Sequence, residues 1–228
     1  GSAAAIASAL AFLVVFWLLY DGICRTIVGL EGYSLAGVHQ PLHDEPKTVR
    51  RLSSAGEAAQ YLNSITISWA DTELGQGPTG TALRTGEIQV NQDFSTNERM
   101  KPWREFAASH GLCASIALPL RHDGEVVAVL TIYATEPYAF DPEEVELLRH
   151  LADDISVGIT SLRRRAEAEA LAATLQRQAR MQAALVDASR ALITATSEQE
   201  LFGKICSIIV EKAGYKVAGV GYVVRDEA

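Results

Sequence analysis

The chain is 228 residues long, 48% hydrophobic and 21% charged, which is the composition of an ordinary packed globular protein. Its net charge of −8 and pI near 5.2 exclude nucleic acid as a partner, because phosphate backbones demand a basic face. Three cysteines without a paired CxxC give no disulfide framework and suit a reducing, cytoplasmic setting.

Gly1-Ser2 reads as an expression remnant ahead of a piece of a longer chain. Ala3 to Tyr20 runs eighteen residues without a charge. As a helix it spans roughly 27 Å, just short of a hydrocarbon core. Two readings stay open for this hydrophobic N-terminal segment (1–17): a tether to the inner membrane, or a helix packed in a dimer or bundle. Residues 18–30 continue as a helix that stops near Gly32. A strand follows over 33–42 and another over 48–53, with the turn-forming His43-Asp44-Glu45-Pro46 between them. A short helix is expected over 57–64, a Gly-rich loop with one helical turn over 68–86, and a strand over 88–91. A helix over 101–110 should carry Trp103 and Phe106 on one face. Two strands, 114–120 and 126–133, are joined at His122-Asp123-Gly124, where Asp-Gly signals a hairpin. Asp141-Pro142-Glu143-Glu144 opens a helix with an Asp N-cap and Pro at its first position. From there to about residue 195 no Pro occurs, and apolar residues recur at helical spacing. Ser197 and Glu200 form a capping box for a further helix, and residues 216–223, KVAGVGYV, read as a strand.

One stretch is written twice. ICRTIVGLEGYSLAGV (23–38) returns as ICSIIVEKAGYKVAGV (205–220), with nine of sixteen positions identical at a constant offset of 182. The identities fall on apolar residues and glycines, including Cys24/Cys206 and Gly37/Gly219, which are the positions a fold needs. This reads as a tandem domain repeat, with a helical linker over 164–196 and an incomplete second copy over 197–228.

The order of elements resembles the GAF domain. The resemblance rests on CRTIVGLEGYSLAGV, on ITISWADTELGQGPTGTALRTG (65–86), on Asn91–Asp93 followed by a helix bearing Trp103, and on ASIALPLRHDGEVVAVLTIYATEPYAFDPEEVELLRHLADDI (114–155). Together these cover residues 18–163. The family implies an α/β (α+β) fold with a central antiparallel sheet and flanking helices, continued by a long C-terminal signalling helix. It further implies a homodimer through the N- and C-terminal helices and a small-ligand pocket under the loops. The style is that of sensory modules ahead of a downstream effector domain, a cyclic-di-GMP enzyme or a histidine kinase. A ligand-free spacer and a GAF-type methionine sulfoxide reductase are the alternatives.

For the pocket, Gly37 lets a ligand approach the first strand. Ser115 and Tyr133 project polar atoms from the hairpin, Trp69, Thr79 and Thr81 lie in the lid, and Trp103 lies on the helix that closes over it. Ligand sites are mostly apolar with a few placed polar groups, and the sequence names no cofactor. The glycines of 75–80 invite a phosphate-loop reading, but no lysine follows them as the Walker pattern requires. Cys113 reads as the start of a buried strand, and the carboxylates Asp71, Glu73 and Asp93 lack metal-ligand spacing. His150 lacks a kinase signature around it. With no kinase, GGDEF or EAL motif, the expectation is a chain that performs no catalysis.

Overall fold

The computed structural model describes residues 17–221. It divides into two compact units, the first ending at Arg163 and the second beginning at Arg164. The first unit is a five-stranded antiparallel sheet in the order β2-β1-β5-β4-β3, with helices on both sides. Its strands are β1 (Tyr33–Pro41), β2 (Val49–Ala55), β3 (Gln89–Asn91), β4 (Ala114–His122) and β5 (Glu125–Ala134).

Strand alternation assigns the two faces. Ala36 and Val38 of β1, Ile116, Leu118 and Leu120 of β4, and Ala128, Leu130 and Ile132 of β5 all point to one side. There they meet α1 (residues 17–28) through Tyr20, Cys24 and Ile27, spaced four and three apart as one helix face requires. The same core takes Leu148, Ala152 and Ile159 from α5 (Pro142–Thr194). Leu118, Leu130, Ile132 and Ile159 are fully buried, so truncating any of them to Ala leaves a cavity costing about 2–5 kcal/mol. Burial pushes the Cys24 thiol up to about 12, and Asp21 adds to the shift. It packs as a small hydrophobe.

The local signals work as expected where they are purely local. Asp123 and Gly124 both take positive φ, at 49° and 88°, as a tight right-twisted hairpin demands. Asp141 Oδ1 accepts from the Glu144 amide at 2.9 Å and starts α5, with Pro142 as its first residue. Three expectations need correction. The helix over 101–110 is shorter, α4 (Arg104–Ser109), so Trp103 is its N-cap and not part of a helical stripe. Trp103 is accordingly buried while Phe106 is 47% exposed. The single turn after the Gly-rich loop is a two-turn helix, α3 (Pro78–Thr85). Residues 216–221 form no strand. A short 3-10 turn and α2 (Tyr61–Ser64) occupy the 57–64 region.

In the second unit, α5 is followed by α6 (Glu198–Glu211). Lys212 Nζ donates to the Asp187 carboxylate, and Ala184 and Ala191 are buried. Ser197 Oγ caps α6 by accepting from the Glu200 amide at 3.3 Å. The return leg lands one residue early, on the Thr196 amide at 2.9 Å, because the Glu200 carboxylate also takes the Thr196 hydroxyl. The uncharged segment over 3–20 lies almost wholly outside the described residues. Among the described residues no helix is long and apolar enough to cross a membrane.

Candidate functional site

The second sheet face is built from the other half of each alternation. Leu35, Gly37 and His39 of β1, Ser115 and Ala117 of β4, and Val129, Thr131 and Tyr133 of β5 point away from α1 and α5. α3 packs Ala82 and Leu83 on Ala117 and Val129. Met100, Trp103, Ala107 and Leu112 close over Leu35 and Tyr133.

Between these two patches lies a cleft lined by Ile65, Ile67, Gly77, Pro78, Thr79, Met100, Trp103, Ser115, Thr131 and Tyr133, enclosing about 20 Å³. That is room for a water molecule, so a larger guest has to part the covering segments. Ser115 and Tyr133 are direct cross-strand partners, which sets their side chains next to each other on the floor. Thr79 Oγ1 lies 3.0 Å from Thr131 Oγ1, and Tyr133 is hydrogen-bonded to Thr79 as well. At this end the polar ties of the lid helix to the floor are hydroxyls, beside the apolar packing of Ala82 and Leu83 on Ala117 and Val129. Burial raises the Tyr133 phenol above its ordinary pKa, with the Thr79 hydrogen bond opposing, so it stays a neutral group. Ser115 Oγ, 1% exposed, has no hydrogen-bond partner.

Trp103 forms one wall. Its Nε1 donates to the Thr66 carbonyl at 2.9 Å, and its ring lies against Gly77. A Cβ at Gly77 would sit 2.7 and 2.9 Å from two ring atoms, so only glycine admits the indole here.

Of the seven residues singled out from the sequence, the structure brings four to the cleft: Thr79, Trp103, Ser115 and Tyr133. The other three lie elsewhere. At Gly37 the approach is taken by the protein itself, since a Cβ there would meet His39 Nε2 at 2.8 Å and Leu62 Cδ1 at 2.9 Å. Trp69 donates from Nε1 to the Leu42 carbonyl at 2.8 Å, under the Lys47 ammonium at 4.7 Å. Thr81 Oγ1 donates back to the Gln76 carbonyl at 3.2 Å. Thr131 escaped the sequence reading although it stands two residues before Tyr133, where strand period alone puts it on the same face. Ile65, Ile67, Met100 and Pro78 carried no such signal.

The glycine-rich segment is pinned from inside: Arg84 donates to the carbonyls of Ala70 and Gly75 at 3.1 and 3.0 Å. Asp93 accepts from the Ser95 amide and hydroxyl at 2.8 and 2.7 Å. Its carboxyl is held below its ordinary pKa by those bonds, the Ser95 hydroxyl first. Cys113 stands just before β4 and is held there by backbone bonds, its amide donating to the Ala134 carbonyl and its carbonyl accepting from the Phe94 amide.

Residues 19–160 match the family model described as GAF domain. No curated protein matches the chain. Among solved structures, the GAF domain region of a Geobacter sulfurreducens PCA protein is similar at a TM-score of 0.52 and 17% identity. It covers 68% of this chain and 96% of its own. A domain assigned to a two-component sensor histidine kinase protein of Sinorhizobium meliloti 1021 is similar at 0.51 and 16%, covering 66% and 95%. The free methionine-R-sulfoxide reductase of Neisseria meningitidis, solved with its substrate, is similar at 0.52 and 19%, covering 66% and 81%. At such identities the likeness establishes the fold. It also corrects one expectation. Enzymes stand on this same fold, so the lack of a kinase, GGDEF or EAL motif does not rule catalysis out for the chain.

Proposed function

The chain belongs to the GAF domain family, and from that premise we propose that it is a sensory module of a bacterial signalling protein. In this reading the loop-face cleft binds a small ligand, and α5 passes the change to a downstream effector domain. The observation that carries it is the double role of β4. Ser115 borders the cleft, and its neighbour Ile116 packs in the core that holds Leu148, Ala152 and Ile159 of α5. A shift of one strand therefore reaches both. The far end of β4 is fastened to the same helix, since the Arg121 amide donates to Ser156 Oγ at 2.9 Å and His122 Nδ1 lies 3.3 Å from Thr160 Oγ1.

Two further parts of the reading have their own support. Leu171, Leu175, Leu185 and Leu192 are each more than half exposed on α5, which suits a parallel homodimer joined along that helix. Residues 205–210 of α6 repeat residues 23–28 of α1 and both are helical, and the repeated glycines Gly32 and Gly214 both adopt positive φ, at 97° and 79°. That supports a second GAF copy begun at residue 197.

The test is a thermal-shift screen of the chain against metabolites, run beside a turnover assay with free methionine sulfoxide and a thiol reductant. A true ligand raises stability by about 2.7 kcal/mol at a hundred times its Kd. Saturable stabilisation that disappears when Ser115 is changed supports the sensor. No stabilisation by any compound leaves a spacer, and thiol-dependent turnover makes the chain a reductase.

A further inference from the structure

The cleft's lining narrows the class of ligand, an inference that rests on the ligand-binding reading above. None of the residues around it carries a charge. A cation would find no counter-charge there, and a dianion would be stripped of water with no Lys or Arg to replace it. What the cleft does offer is the start of α3. Its N-cap is Gly77, which has no side chain to cap the helix, and its first residue is Pro78, which has no N–H. The first-turn amides of Thr79 and Gly80 are therefore left without an intrahelical or side-chain partner, at the positive end of the helix dipole. Gly77, Pro78 and Thr79 all border the cleft.

A second observation points the same way independently. The Ser115 hydroxyl, on the sheet side of the same cleft, is 1% exposed and unpartnered. A buried O–H left unpaired is a standing cost that an incoming oxygen acceptor removes. Of the rest of the lining, Ile65, Ile67, Met100 and Trp103 are apolar or aromatic, and the Thr131 and Tyr133 hydroxyls are already hydrogen-bonded to Thr79.

We propose that the cleft takes a short aliphatic monocarboxylate. Its carboxylate accepts from the α3 amides and the Ser115 hydroxyl, and its alkyl end rests among Ile65, Met100 and Trp103. The enclosed 20 Å³ restricts the guest to a few heavy atoms, and even acetate has to move the lid slightly.

The experiment titrates the whole chain with sodium acetate and sodium propionate, following melting temperature and calorimetric heat. Sodium chloride, sodium sulfate and methylammonium chloride at matched ionic strength are the controls. Saturable stabilisation by the carboxylates alone is expected. Ser115→Ala should weaken their binding about tenfold or more, as loss of a hydrogen bond to a charged group does, without lowering the melting temperature of the ligand-free chain. Equal stabilisation by sulfate or chloride, binding of methylammonium, or an unchanged Kd in Ser115→Ala overturns the proposal. If the carboxylates do nothing while an uncharged metabolite binds in a Ser115-dependent way, the class is wrong and the sensor reading stands. If nothing binds at all, both fall.

Discussion

Replacing Gly77 by Ala tests the lid at its tightest point. The new methyl would sit 2.7 and 2.9 Å from two Trp103 ring atoms, where ordinary contact begins at 3.4 Å. The ring must therefore retreat by about 0.7 Å, or the loop before α3 must move. Trp103 has little freedom to do so, being 4% exposed and hydrogen-bonded to the Thr66 carbonyl. Overpacking of this kind costs about 1–3 kcal/mol. Losing the indole bond adds about 1 kcal/mol. For a domain of this size that lowers the melting temperature by roughly 4–16 °C. Calorimetric unfolding reads the loss directly. Gly158→Ala provides the opposite sign, since that glycine lies in α5 with nothing near its missing Cβ. There the methyl should add about 0.5–1 kcal/mol through helix propensity alone. A Gly77→Ala protein that melts with the wild type would mean that the indole is not wedged against this turn, and the cleft wall would have to be redrawn.

His39 is buried with its Nε2 unpartnered, and burial first, then Arg51, lowers its pKa from 6.5 to about 4. The folded state thus prefers the neutral ring, so its contribution is whole above pH 6.5 and drains away as pH falls through 4. Between pH 7 and 4.5 the wild type should lose about 2–3 kcal/mol more than His39→Gln in denaturant titrations, and parallel losses would refute the assignment. Ser197→Ala should destabilise the α6 end by about 0.5–2 kcal/mol, seen as faster hydrogen exchange over 198–204 with the sheet unaffected. Light scattering should report a homodimer for the chain, and Leu171→Glu with Leu175→Glu should dissociate it. A wild-type monomer at every concentration would remove α5 as the joining helix.

Much of the first unit was legible because its signals are local. The alternation in β4 and β5 tells which residues share a face whatever the rest of the chain does. Ser115 and Tyr133 therefore fell on the loop side and Ile116 and Ile132 on the helix side. The Asp123-Gly124 turn and the Asp141 cap likewise depend on a few neighbouring dihedrals. Residues outside regular strands had no such rule. Thr79 and Thr81 stand two apart on one short helix, yet the first reaches across to Thr131 and the second turns back to Gln76. Trp69 and Trp103 look alike in sequence, and only the fold sends one to the Leu42 carbonyl and the other against Gly77. Gly37 reads as an opening for a ligand until Leu62 arrives from α2 to fill it. Backbone periodicity is a short-range property of the chain, whereas the cleft is made by segments up to 68 residues apart, from Ile65 to Tyr133, and their meeting is decided only when the core packs.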